Sequence, residues 1–180
     1  MTATTAREAG EKDAALLAGI IQRSFQDVAQ RFGLTPENCP KHPSNCTPEW
    51  IRDDLKRGVK YAIAEQDHIP VGCFALEAPS HELRYLERLA VLPERRRQGL
   101  GRALVGHAFS QAKVSGARRI SIAILSEHTE LKEWYARLGF TERETKSFPH
   151  LPFRVTFKEL NIDDTTSKAL EATLDSAPQD

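Results

Sequence analysis

The sequence predicts an α/β fold, with a mixed central β-sheet and helices on both of its faces. Two observations predict it. Stretches of period-two alternation and of helical periodicity are interleaved along the chain, in the order α-α-β-β-β-α-β-α-β-β. The 180 residues also suit one core of that kind.

The first helix is expected over Asp13 to Phe32, where Leu16, Leu17, Ile20, Ile21, Phe25 and Val28 recur at helical spacing and Gly33 follows. Residues Gly33 to Cys46, "GLTPENCPKHPSNC", are too proline-rich for a regular element. Thr47 then caps a second helix, with Pro48 at its first position, that runs to Gly58. "KYAIAEQ" and "PVGCFALEA" read as a hairpin turning at Asp67-His68.

"LRYLERLAV" is a third strand, and strict alternation puts Leu83, Tyr85, Glu87, Leu89 and Val91 on one face. Arg84, Leu86, Arg88 and Ala90 take the other, where the arginines would pair with acids of a neighbouring element. Leu100, Leu104, Ala108 and Ala112 mark a helix ending near Gly116. "RRISIAIL" is a strand and "TELKEWYARL" a short helix stopped by Gly139. "FTERETKSF" and "FRVTFKEL" are two closing strands. Residues 1–160 are thus read as one domain with a flexible 1–12, followed by a polar, acidic tail over 161–180. Leu170 and Leu174 could share a helix face in that tail, which is expected to fray or be disordered.

Charge is balanced at 25 basic against 25 acidic residues, which argues against nucleic acid or a membrane surface as partner. The N-terminus lacks the pattern of a signal peptide, and no run approaches the roughly 20 apolar residues that span a bilayer. Cys39, Cys46 and Cys73 form an odd set with no disulfide framework. A cytoplasmic protein is expected.

The chemistry-bearing stretch is "PERRRQGLGRALV", Pro93 to Val105. Glycines at 99 and 101 open a helix, whose first N–H groups have no partner within it. The helix dipole favours an anion there, and glycine lets a phosphate approach the backbone. Arg95, Arg96, Arg97 and Arg102 can add charged donors. No Gly-Lys-Ser/Thr follows, so the stretch is not a Walker A loop.

The run "LERLAVLPERRRQGLGRALV" resembles the central motif of the GNAT superfamily of acyl-CoA-dependent N-acyltransferases. Arg96, Gly99 and Gly101 meet its Arg/Gln-x-x-Gly-x-Gly/Ala pattern, and "EWYARLGF" is similar to a second element of that family. The resemblance covers about Tyr61 to Leu160. It implies a sheet that splays at the strand carrying Leu89 and Val91, and acetyl-CoA as the acetyl donor. The amides of Arg96, Arg97, Gln98, Gly99, Leu100 and Gly101, with Arg102, would hold the pyrophosphate. Backbone groups of Leu89, Ala90 and Val91 would pair with the pantetheine arm.

The implied reaction is direct acetyl transfer to a primary amine through a tetrahedral intermediate. A lysine-like amine has a pKa near 10.4, so about one in 2,500 is neutral at pH 7. That scarcity is worth about 4.6 kcal/mol of barrier. Glu87 is the candidate base, with Tyr85 and Glu82 behind it, and Tyr135 is the candidate acid for the departing thiolate. An amide near Leu89 would stabilise the oxyanion. His128 stands where the family often has Asn.

Cys39, His42 and Cys46 have metal-like spacing, with His150 a distant fourth donor, yet structural zinc usually brings a full local set. No metal is assigned. A proline-stiffened lid, or acceptor recognition by His42 and His150, are the other readings of this loop. The acceptor is a small-molecule or peptide amine, and a homodimer is compatible with the fold. A non-catalytic acyl-CoA sensor is the rival function. It would keep the glycine loop and dispense with Glu87 and Tyr135.

Overall fold

In the computed structural model, residues 3–175 are described, with side chains through residue 172. The elements are β1 (Thr5–Ala9), α1 (Ala14–Phe32), α2 (Pro48–Lys56), β2 (Lys60–Gln66), β3 (Ile69–Glu77), β4 (Leu83–Val91), α3 (Leu100–Val114), β5 (Arg119–Leu125), α4 (Thr129–Arg137), β6 (Thr141–Ser147), β7 (Arg154–Asn161) and α5 (Asp164–Asp175). The strands form one sheet in the order β1-β2-β3-β4-β5-β7-β6. Every pairing is antiparallel except β4 with β5, which the α3 crossover joins.

The sheet separates two cores. On one face Leu17, Ile20 and Ile21 of α1 and Ile51 of α2 pack on Tyr61, Ile63 and Ala75. On the other Leu104, Val105 and Phe109 of α3 and Tyr135 of α4 pack on Phe74, Leu76, Ile120 and Ile122. Local chemistry matches the sequence at the joints. The Thr47 hydroxyl accepts the Trp50 N–H and caps α2. Asp67 and His68 both take left-handed φ, as a two-residue hairpin turn requires.

Three expectations are corrected. Within the segment expected to be flexible, Thr5–Ala9 is a strand. It covers the open edge of β2, and Arg7 pins it through Glu65 and Asp13. The tail forms α5 over Asp164–Asp175, with Leu170 buried in the α3 core and Lys113 Nζ donating to Ser167 Oγ. The Leu174 side chain lies outside the described residues.

The third correction concerns β4. Ala75 pairs with Glu87 while Cys73 pairs with Ala90, so β4 carries one extra residue and bulges. Arg88, at the bulge, has φ +51. Alternation therefore breaks there. Leu86 packs into the α3 core and Ala90 into the α1 core, although strict alternation would put them on one face. Leu89 and Val91 turn to the α3 side, away from Glu87. Gly72, paired with Val91 just beyond the bulge, lets the strands close: a Cβ there would sit 2.4 Å from the Ala90 carbonyl oxygen.

Candidate active site

β4 and β5 pair only from Leu83–Tyr85 to Arg119–Ser121. Beyond Tyr85 they part, and a cavity of about 1460 Å³ is lined by both strands and by helices on both faces of the sheet. It brings together most of the residues singled out in the sequence. Glu87, Leu89, Val91, Arg96, Arg97, Gln98, Gly99, Leu100, Gly101, Arg102 and Tyr135 all line it. Ala90 does not: its side chain is buried in the α1 core.

The turn into α3 presents backbone amides to the cavity. Gly99 has φ +76 and precedes Leu100, and Ala103 donates the first helical bond to the Gly99 carbonyl. The amides of Leu100, Gly101 and Arg102 thus precede the helical ladder. Arg97 is also left-handed, at φ +61, which curls the backbone ahead of the helix. Gly101 has a packing reason: a Cβ would lie 3.2 Å from Trp134 Cζ2.

Arg96 is placed differently from its neighbours. Its amide donates to Pro93 O, and its guanidinium donates to Ser24 O (2.6 Å), Val91 O (3.3 Å) and Asp27. These bonds tie the turn to α1, so Arg96, itself in the cavity lining, fixes the shape of the turn.

Glu87 is flanked by acids. Burial chiefly, then Glu77 and Asp54, push its pKa above the usual carboxylate value, and Arg57 opposes them. Its neighbour Arg88 is anchored. Arg88 Nη1 and Tyr61 Oη both donate to Asp54 Oδ2, the latter at 2.6 Å, and Arg57 donates to Asp54 Oδ1 at 2.7 Å. The Arg88 guanidinium also lies over the Trp50 and Tyr61 rings. This cluster accounts for the bulge, because the Arg88 side chain is drawn to the α2 side. Of the fallback bases, Tyr85 lines the cavity, whereas Glu82 lies outside it and pairs with Arg118.

Tyr135 lies on the α4 side, edge-on to Trp134 and Phe140. Burial alone pushes its pKa up, so it holds its proton at neutral pH. His128 lines the cavity and caps α4: its Nδ1 accepts the Leu131 N–H at 3.2 Å. Its pKa is lowered, by burial first and then by Arg31.

The loop cysteines diverge. Cys39 packs with Ala29 and Leu34, while Cys46 joins the α1 core. Among the described residues no group of three ligating side chains is placed to hold a metal. His42 lines the cavity, and its Nδ1 contacts Ser44 Oγ at 2.8 Å. His150 is exposed, outside the cavity, and stacks near Phe148. Trp134 lines the cavity and also packs against the α3 core.

Residues 57–142 match the acetyltransferase (GNAT) domain. An uncharacterized N-acetyltransferase of Methanocaldococcus jannaschii is 30% identical over 90 residues, 47% of this chain and 40% of that protein. The match thus spans two fifths of that relative's length. An N-acetyltransferase of Thermoplasma acidophilum in complex with coenzyme A superposes with a TM-score of 0.72 at 16% identity, over 88% of this chain and 99% of that one. A Salmonella typhimurium protein solved with its cofactor acetyl-CoA gives 0.65 at 19%, over 90% and 95%. The ribosomal-protein-S18-alanine N-acetyltransferase of Escherichia coli gives 0.70 at 17%, over 89% and 95%.

The mixed sheet with its parted parallel strands, and the turn into α3, define the α/β fold of the chain. The domain match covers residues 57–142, and the fold as a whole is similar to that of the solved acetyltransferases above.

Proposed function

We propose that the protein transfers the acetyl group of acetyl-CoA directly to a primary amine. One observation carries this reading: Glu87 and Tyr135 approach a single cavity from opposite sides of the sheet, and the glycine turn lines the same cavity. Acetyl-CoA, as cosubstrate, would supply the activated acetyl group. The amides after Arg97, with the basic side chains of Arg97 and Arg102, suit its pyrophosphate. The open edge of β4 at Leu89 and Ala90 suits the pantetheine arm, which would add like a strand.

Glu87 takes a proton from the incoming ammonium, directly or through water, and leaves a neutral amine. Its raised pKa brings it closer to that task than an ordinary carboxylate. As the amine nitrogen bonds to the thioester carbon, the Leu89 amide is the donor for the oxyanion. The nitrogen then loses its second proton to solvent, the C–S bond breaks, and Tyr135 protonates the thiolate. Solvent restores the Tyr135 proton and takes the one held by Glu87. The products are an N-acetyl amide, free thiol and one released proton.

Thiol release from acetyl-CoA, followed across a panel of amines, tests this reading. Wild type should turn over and Tyr135→Phe should bind acetyl-CoA normally but turn over slowly. A wild type that binds acetyl-CoA and acetylates nothing would favour a sensor. Three buried, unpaired thiols suit the reducing cytoplasm in which we place the protein.

A further inference from the structure

We infer that the acceptor is a monoamine on an apolar, preferably aromatic, body, and that molecules with a second cationic centre are excluded. This rests on the acetyl-transfer reading above and concerns the half of the cavity on the α1 and α2 side.

That half has an apolar wall. α1 contributes Phe25 and Val28, β5 contributes Leu125, and Phe153, Val155 and Phe157 close it from β7 and the segment before it. Leu125 and Val155 are direct partners in the sheet, as are Ala123 and Phe157, so this wall is one continuous surface of the β5–β7 pair. Phe153 and Leu125 also pack on the cluster of Ala29, Leu34 and Cys39, which fixes the proline-rich loop against the same wall. His42 meets Phe25 edge-on at 6.0 Å, and its burial keeps the ring neutral. Such walls reward an apolar body and give a charged one nothing.

The charges point the same way. Among the described residues lining the cavity, Glu87 is the only carboxylate. Of the cationic residues that line it, Arg88 and Arg96 pair with Asp54 and Asp27, Arg97 and Arg102 flank the turn into α3, and Lys41 lies on the α2 side. The Lys41 ammonium lies over the Trp50 ring at 5.2 Å. Glu87 can receive one ammonium, the one it deprotonates. A second positive charge on the acceptor would leave water for a cavity whose lining offers it no second carboxylate, which selects against it.

The test uses the full chain with acetyl-CoA and three probes: 2-phenylethylamine, spermidine and a lysine-rich peptide. We expect kcat/KM for phenylethylamine to exceed that for spermidine and for the peptide by about tenfold or more, the scale set by burying a ring of that size. Phe25→Ala should raise KM for phenylethylamine about tenfold while leaving the acetyl-CoA Kd unchanged, and Phe25→Leu should recover much of the loss. Val28→Glu adds a carboxylate to the wall and should shift preference toward spermidine.

Preference of wild type for spermidine or the peptide would overturn the inference and leave acetyl transfer standing. So would an unmoved KM in Phe25→Ala, or acetyl-CoA binding with no phenylethylamine turnover. Failure of wild type to bind acetyl-CoA would overturn the donor reading, and this inference with it.

Discussion

Glu87 and Tyr135 approach one cavity from opposite sides of the sheet. Tyr135 belongs to the α3–α4 core, while the field at Glu87 comes from Glu77 and from Asp54 and Arg57 on the α2 side. The gap between β4 and β5 connects them. In the reaction we propose, proton removal from the amine and proton delivery to the thiolate are thereby kept apart, each on its own side.

Glu87→Gln should lower kcat by about a hundredfold, the scale of a lost general base. In wild type, kcat/KM should fall as pH drops through the Glu87 pKa, at a pH above the ordinary glutamate range because that pKa is raised. The variant should lose this acidic limb. A pH–rate profile of both proteins checks it.

The same carboxylate sets a stability prediction of opposite sense. Because its folded pKa is raised, stability is full below the unfolded value and falls as pH rises through the folded one. Glu87→Gln should therefore melt higher than wild type at neutral pH, and the difference should shrink in acid. Melting curves at both pH values measure it.

Tyr135→Phe should lower kcat by about a hundredfold and leave the fold intact. The ring keeps its edge contacts with Trp134 and Phe140. Acetyl-CoA affinity should be unchanged, since the phenol acts only as the thiolate leaves. Calorimetry alongside steady-state kinetics separates the two effects.

Asp54→Ala should destabilise the protein by about 3–5 kcal/mol, because it leaves Arg88 buried without its partner. Tyr61→Phe removes one donor to the same carboxylate and should cost about 1 kcal/mol. Urea unfolding gives both. Asp54→Ala should also impair turnover, since Arg88 holds the bulge between Glu87 and Leu89.

The helices and central strands were legible because their periodicities are strong, as at Leu16 to Val28 in α1 and Ile120 to Ile124 in β5. The glycine turn was legible because two glycines at a helix start mark special backbone: Gly99 takes the left-handed φ and Gly101 makes room for Trp134. The β4 bulge was not. Its left-handed residue is Arg88, and nothing local marks it; the clue lay across the sheet at Gly72. β1 was missed because "TAREA" has no alternation of its own and is held by the edge of β2. Arg96 looked like a ligand for phosphate, and only the packing of α1 shows its donors already in use.

The central claim is that the turn into α3 holds the pyrophosphate of acetyl-CoA. Titration of wild type, Gly101→Glu and Arg97→Glu with acetyl-CoA, each with a matching thermal melt, tests it most directly. Micromolar binding by wild type, weakened at least about tenfold in both variants without loss of the folded state, is the expected result. No binding by wild type, or full affinity in both variants, would contradict it.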